Sequence, residues 1–315
     1  MMKFPSSLKS GDKIAIVSPA SVVKEEYVTG AAEQIAARGY LPVVMPHAVG
    51  YESGSYSATR SNRIIDLLDA VTDPDIKAIL CARGGYGCCQ LLDALSPSLI
   101  ASNPKWIVGF SDVSALLALW LRSGLVSVHG PMAKHLATMP DDDFCTRSLF
   151  HMLENGGSVD YKVEGHAYNR YGTARGCLKG GNFAVLTDLA DTPYDILSSN
   201  EENEDVILFL EDIAEPIYKV NRMLWRLLLS GALDKVKGII FGAFTEYRPD
   251  RNFETMEDMI HDFLERHVSR DIPVVYDFPT GHIDRNLPLP VGAGVELKVD
   301  ETGVRLTTLD PVSRF

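Results

Sequence analysis

Basic charge is what this chain has least of relative to need: 30 Lys and Arg stand against 42 Asp and Glu, a formal net charge of −12 over 315 residues. Recognition of a phosphate backbone requires a basic face, so this balance argues against a nucleic-acid partner. It says little about substrate charge, because a local pocket can oppose the average. Cysteine is also scarce. The five residues Cys81, Cys88, Cys89, Cys145 and Cys177 are odd in number and match neither a zinc spacing nor a disulfide framework. They read as free thiols in a reducing compartment. The N-terminal segment from Met1 to Lys13 lacks the apolar stretch of a secretory signal, and no apolar run reaches the length of a membrane span. The expectation is a cytoplasmic protein with no membrane partner. No H-E-x-x-H cluster is present, and no metal is expected.

Apolar residues, by contrast, make up 46% of the chain, enough to pack more than one core, and the length favours two domains. In the first half, strand-like and helix-like segments alternate. Lys13 to Ser18, Leu41 to Met45, Ala78 to Cys81, Trp106 to Phe110 and Val126 to His129 read as buried strands. Lys24 to Arg38, Arg60 to Val71 and Val113 to Arg122 read as helices between them, and Asp141 to Asn155 as a helix closing the unit. The β-α order predicts a doubly wound, mostly parallel sheet with helices on both faces.

The polar, glycine-bearing stretch 158–176 reads as a linker. The expected α/β architecture is thus an N-terminal domain over 1–157, that linker, and a second α/β domain with mixed strands over 177–315, with the active site in the interdomain cleft. In the second half, Val206 to Leu210, Gly238 to Phe244, Pro273 to Asp277 and Gly294 to Val299 look like strands. The acidic run Asn200 to Asp205 reads as a solvated loop.

Sheets of this kind bind ligands beyond the carboxyl ends of their strands. Two sequence features fall at such ends. One is Ser111, on the turn between the strand from Trp106 and the helix from Val113, where a hydroxyl is exposed and the following N–H of Asp112 can stabilise an oxyanion. Ser and Asp are also the commonest helix N-caps, and Val113 replaces the last glycine of G-x-S-x-G. The other feature is the loop Arg83-Gly84-Gly85-Tyr86-Gly87. No Lys plus Ser/Thr follows its glycines, so a phosphate cradle is not expected and no cofactor is called for. Its Gly84-Gly85 turn can bring backbone close to a substrate and supply the second oxyanion donor. Arg83 could grip a substrate carboxylate or bridge the domains.

A serine nucleophile needs a base, and the base an orienting group. Among eight histidines, His129 and His282 stand out, each following a strand-like region beside glycine or proline. His282 is the better base, on a long Gly- and Pro-rich loop suited to presenting a side chain. The remaining six read as surface groups. The carboxylate is either Glu211 or Asp212, both placed at the end of the strand from Val206, where a carboxylate is unusual unless partnered. Cys88 and Cys89 follow the glycine loop and read as small residues at a helix start rather than nucleophiles.

Four ordered blocks, Cys81-Ala-Arg-Gly-Gly-Tyr-Gly, Gly109-Phe-Ser-Asp, Leu208-Phe-Leu-Glu-Asp-Ile-Ala-Glu-Pro and Gly281-His-Ile-Asp-Arg-Asn-Leu-Pro-Leu-Pro, resemble the LD-carboxypeptidase family of serine peptidases. That family includes muramoyltetrapeptide carboxypeptidases and microcin C immunity peptidases. The likeness runs from about Leu8 to about Thr307. It implies Ser111 as nucleophile, His282 as general base and Glu211, the first acid of its block, as the orienting group. Gly85 and Asp112 would form the oxyanion hole, and Arg83 and Gly84 would contact substrate. It further implies hydrolysis of the L,D-bond of murein tetrapeptides, with release of D-alanine during cell-wall recycling, by a homodimer. The alternatives are a peptidase acting on peptide-nucleotide conjugates and a two-domain small-molecule binding protein in which Ser111 only caps a helix.

Overall fold

The structure is a computed structural model that describes residues 2–50, 54–197 and 204–309. In chain order the first half carries β1 (Lys13–Val17), α1 (Glu25–Ala37), β2 (Leu41–Val44), α2 (Arg60–Thr72), β3 (Ile76–Cys81), α3 (Pro97–Ser102), β4 (Trp106–Gly109), α4 (Ser114–Arg122), β5 (Ser127–His129), α5 (Ala133–Thr138) and α6 (Phe144–Glu154). The second carries β6 (Asp160–Val163), β7 (Gly172–Asn182), α7 (Phe183–Asp188), β8 (Val206–Ile213), α8 (Ile217–Leu229), β9 (Val236–Thr245), α9 (Met256–His267), β10 (Val274–Val275), β11 (Leu289–Val291), β12 (Gly294–Asp300) and β13 (Gly303–Thr308). Two compact units result. The first spans residues 1–157 with 284–290, and the second 158–283 with 291–315.

The first unit holds a six-stranded sheet in the order β11-β5-β4-β3-β1-β2. The pairings from β2 through β1, β3 and β4 to β5 are all parallel. Its inner strands are continuous apolar runs because they are covered on both faces, and Ile16, Ile79, Trp106 and Ile107 are wholly or almost wholly buried. Local signals set the helix ends. Thr59 accepts the Asn62 N–H at the start of α2, a cap whose loss typically costs about 1 kcal/mol. Gly39, at φ +84°, takes the left-handed turn just beyond α1. The chain leaves β1 to build β2 on one side and returns to place β3 on the other, so the strand order reverses between β1 and β3. Loops leaving the carboxyl ends of those two strands open at the point where such sheets bind ligands. They are the segments that begin at Ser18 and at Ala82.

The second unit holds a seven-stranded sheet, β10-β9-β8-β7-β12-β13-β6. It is parallel from β10 to β7 and antiparallel from β7 to β6. One face packs on α8 and α9, whose Val220, Met223, Leu224, Leu227, Met259, Ile260 and Phe263 join Leu208, Leu210, Ile239 and Phe241 in one core.

Two expectations need correction. The stretch 158–176 is not a linker: it supplies β6 and the first half of β7. Residues 172–175 of β7 alternate between half-buried and exposed and carry glycine, threonine, alanine and arginine, so that half of the strand has little apolar signal. The strand from Val206 does not stop at Leu210 but runs to Ile213, so Glu211 and Asp212 lie within β8. Most of the acidic run expected as a loop, residues 200–203, lies outside the described residues. No helix among the described residues is long and apolar enough to cross a membrane.

Candidate active site

β4 ends at Gly109, Phe110 is extended, and Ser111 then turns the chain with φ +63° into a short 3-10 turn that leads to α4. A non-glycine residue held in the left-handed region costs roughly 1–3 kcal/mol and persists where the surroundings fix it. Here a side chain at Gly109 would meet Val113 Cγ1 at 2.7 Å and Cys81 Cβ at 3.2 Å, so the turn closes only over glycine. Val113 fills that space from the other side. This is why the turn works without the final glycine of G-x-S-x-G. Ser111 makes no capping hydrogen bond with its side chain. Nor does Asp112 cap α4: its Oδ2 accepts the Cys88 N–H at 2.8 Å.

The glycine loop lies directly against this turn. A Cβ on Gly84 would sit 2.8 Å from Ser111 Cβ and 3.0 Å from Ser111 Oγ, so only glycine allows the approach. Gly85 has φ +107°, and among the described residues its N–H has no acceptor. Ser21 holds the loop from the β1 side. Its N–H donates to the Gly84 carbonyl at 3.3 Å, and its Oγ accepts the Tyr86 N–H at 3.1 Å. Arg83 is exposed, with its guanidinium donating to the Val22 carbonyl at 2.7 Å. Burial, together with the nearby Asp112 carboxylate, pushes the Cys88 thiol well above its usual range, which disfavours a nucleophilic role.

In the second unit, Glu211 Oε2 and His282 Nδ1 are 2.8 Å apart, and Glu211 is fully buried. The strands aim this pair. Leu210 pairs with Phe241 and Asp212 with Phe244, so β9 bulges by one residue opposite Glu211. A Cβ on Gly242, inside the bulge, would meet Glu211 Cβ at 3.2 Å and the Thr280 carbonyl at 2.7 Å. The loop carrying His282 is tied along β9 by Phe278 N–H to Phe241 O at 3.0 Å and Ala243 N–H to Thr280 O at 2.9 Å. Gly281, at φ +112°, presses on Glu211, where a Cβ would stand 2.8 Å from Oε2.

Burial works against a charged His282, but the hydrogen bond and charge of Glu211, helped by Asp212 and Glu246, outweigh it and hold the imidazole above its ordinary pKa of 6.5. A carboxylate on Nδ1 leaves Nε2 as the ring atom able to take a proton. Asp212 turns the other way. It accepts the N–H groups of Ala184 (2.9 Å) and Ile213 (2.8 Å) and the Asn182 side chain (3.2 Å), which anchors the start of α7 to β8. Burial and the charge of Glu211 raise its pKa to about 6.

The structure thus brings Gly84 to Ser111, Asp112 to the far end of the glycine loop, and Glu211 to His282. Ser111 belongs to the first unit and the acid–histidine pair to the second. His129 is wholly buried in β5 with its ring against Phe110, centroids 5.8 Å apart. Of the six histidines read as surface groups, His47 and His135 are hydrogen-bonded to Asp66 and Asp143, and His261 stacks on Tyr168. Among the described residues no cluster of His, Cys, Asp or Glu is arranged to hold a metal ion. Sequence reasoning missed Ser21 and Arg63. Both act on main-chain groups of the loop and carry no motif.

Two family profiles match the chain: the LD-carboxypeptidase N-terminal domain over residues 14–130 and its C-terminal domain over 175–297. A murein tetrapeptide carboxypeptidase of Pseudomonas aeruginosa is 32% identical over 249 residues, 74% of this chain and 77% of that protein. The microcin C7 self-immunity protein MccF of Escherichia coli is 25% identical over 95% of this chain and 94% of its own. The crystal structure of muramoyltetrapeptide carboxypeptidase from Oxalobacter formigenes superposes with a TM-score of 0.83 at 29% identity, covering 95% of this chain and 99% of that one.

Proposed function

The chain belongs to the LD-carboxypeptidase family, and from that premise we propose that it is a serine carboxypeptidase whose triad is Ser111, His282 and Glu211, cutting an L,D-amide bond to release the terminal D-alanine of murein tetrapeptides. Carboxypeptidase activity follows from the family. The bond, the substrate and the residue roles are our reading.

In this reading His282 Nε2 takes the Ser111 hydroxyl proton as Oγ attacks the scissile carbonyl. Glu211, bonded to Nδ1, holds the ring in the required tautomer and stabilises the imidazolium that forms. The N–H groups of Gly85 and Asp112 receive the oxyanion. Collapse breaks the C–N bond, and His282 returns its proton to the leaving amine. Water, deprotonated by the same imidazole, then releases the acyl group from Ser111. Arg83, exposed on the glycine loop, would meet the substrate's terminal carboxylate, with Gly84 lining the approach.

The observation that carries the reading is Ser111 itself, a strained residue with no capping role, pressed against a glycine loop whose N–H is unused. The test measures D-alanine release from the tetrapeptide by the wild type, Ser111→Ala, His282→Ala and the double variant. Each single change should remove several orders of magnitude with the circular dichroism unchanged. Because groups in a triad act as a unit, the double variant should lose little more than either single one. Near-normal turnover in Ser111→Ala, or multiplicative losses, would refute the triad. The Escherichia coli relative favours a second reading, hydrolysis of a peptide-nucleotide conjugate by the same residues. Comparing kcat/KM on both substrates decides between them. We further propose a cytoplasmic homodimer, which light scattering and fractionation would check.

A further inference from the structure

We propose that Arg63 is a positioning residue for acyl transfer, fixing the glycine loop so that the Gly85 and Asp112 N–H groups converge on the oxyanion. The inference rests on the reading of Ser111 as nucleophile and of this loop as an oxyanion donor.

Arg63 lies in the second turn of α2 and is only 2% exposed. Burying a guanidinium is costly unless its donors are used. Nη1 donates to the Pro19 carbonyl at 2.7 Å and the Gly87 carbonyl at 3.1 Å, and Nη2 to Gln90 Oε1 at 2.7 Å, while among the described residues the buried Nε has no acceptor. Its plane also covers the Tyr56 ring at 4.7 Å, and Tyr56 in turn packs on Tyr86 with centroids 5.3 Å apart. Gly87 is shaped for this grip: at φ +129°, a Cβ there would meet the guanidinium at 2.6 Å and Tyr56 at 3.0 Å.

Peptide planarity gives the contacts their meaning. The Gly87 carbonyl and the Cys88 N–H belong to one rigid plane and point in opposite directions. Arg63 holds the oxygen, and Asp112 Oδ2 holds the N–H at 2.8 Å. That single plane therefore links the guanidinium to the residue immediately after the nucleophile. At the other end of the loop, the Gly84 carbonyl and the Gly85 N–H share a second plane, whose oxygen is fixed by the Ser21 N–H. Arg63 also holds the Pro19 carbonyl, two residues before Ser21. Both planes are thus set by segments that meet at one buried cation, and the Gly85 N–H is left with a defined direction. Three of the loop's five residues are glycine, and of the other two Arg83 reaches only the Val22 carbonyl, beyond Ser21, at 2.7 Å.

The test uses Arg63→Lys and Arg63→Gln beside Ser111→Ala, with steady-state hydrolysis of the tetrapeptide and inhibition by a peptide boronic acid carrying boron in place of the scissile carbonyl carbon. Removing one oxyanion donor typically costs roughly 10²–10³ in kcat. Arg63→Gln should lose about 10²-fold in kcat with KM within about threefold. The boronate inhibition constant should rise in step, while affinity for the tripeptide product stays put. Arg63→Lys, which keeps the charge and fewer donors, should recover part of the loss and covers the case in which the glutamine variant does not fold. A merely structural role would lower the folded fraction and affect product and boronate binding alike. That outcome, or a kcat within threefold of wild type in both variants, overturns the proposal. Activity retained in Ser111→Ala would instead overturn the reading beneath it.

Discussion

Exchanging Glu211 for glutamine removes a charge at nearly constant volume, at a site where the carboxylate is fully buried and 2.8 Å from the imidazole. A carboxylate can only accept. The amide can also donate, so it no longer selects the tautomer that leaves Nε2 free to take a proton. Loss of the orienting acid from a serine triad costs on the order of 10⁴ in kcat, equivalent to about 5.5 kcal/mol of transition-state stabilisation. A pH effect accompanies it. In the wild type, His282 is held above its ordinary value because Glu211 outweighs burial, so the acid limb of kcat/KM should lie above 6.5. Without the charge and hydrogen bond of Glu211, burial is opposed only by Asp212 and Glu246, so the pKa falls and the limb of Glu211→Gln should move to lower pH even as the plateau collapses.

Stability should follow the same linkage. A histidine whose folded pKa is raised adds stability that is full below its unfolded value and lost as pH rises through the folded one. Glu211→Gln removes that contribution, and the protein should therefore lose more stability at pH 5 than at pH 8, read as the two shifts in melting temperature. D-alanine release measured from pH 5 to 9 tests the catalytic half. A loss below tenfold with an unmoved acid limb, or a limb displaced to higher pH, would refute the reasoning.

Three further outcomes are expected. Gly84→Ala places a Cβ 2.8 Å from Ser111 Cβ and should displace the nucleophile, lowering kcat by about 10²-fold for a stability cost of about 1–3 kcal/mol, read from kinetics and urea unfolding on one preparation. Ser111→Gly and Ser111→Ala should both be inactive, but glycine accepts φ +63° freely, so its urea midpoint should exceed that of the alanine variant by the equivalent of about 1 kcal/mol. Chelators should leave D-alanine release unchanged and added zinc should not raise it, whereas reversible loss restored by metal would contradict a serine mechanism.

How much of this was legible in the sequence depends on what each part is made of. The inner parallel strands of the first unit were readable because double-sided burial forces them to be unbroken apolar runs, as in Ile14 to Val17 and Trp106 to Val108, whereas β2, expected to be buried, is an edge strand with Leu41 and Val44 exposed. α3 and α5, at six residues each, are too short to show a period. β7 escaped because it carries four glycines, and the backbone of Phe209 approaches Gly180 so closely that no side chain fits there. The extension of β8 escaped because Glu211 and Asp212 look like a strand end. The bulge of β9 that accommodates them is a property of two strands together. Ser111 and His282 stood out as candidates because each carries side-chain chemistry on a turn or a Gly- and Pro-rich loop, whereas Glu211 was told from Asp212 only by the family resemblance. Arg63 could not, because a cation in a helix beginning Arg60-Ser-Asn-Arg reads as a solvated face until the carbonyls it serves are seen.

The groups proposed for the chemistry share one physical trait: each sits at or beside a departure from local backbone preference. Ser111 is a non-glycine residue at φ +63°, Gly85 and Gly281, which precedes His282, lie at +107° and +112°, and β9 bulges opposite Glu211. A regular strand alternates its side chains across the two faces of a sheet, so it cannot direct one beyond its own end. A positive φ or a bulge does so, at a cost of order 1–3 kcal/mol for a non-glycine residue such as Ser111 and little where the residue is glycine. That strain is held by close backbone packing: Gly109 beneath Val113, Gly84 against Ser111, Gly242 and Gly281 against Glu211. Glycine is needed at those four positions because a neighbour occupies the space of its Cβ. At Gly84, Gly242 and Gly281 the neighbour is Ser111 or Glu211, so a substitution there presses on a group proposed for the chemistry and should disturb catalysis as well as folding.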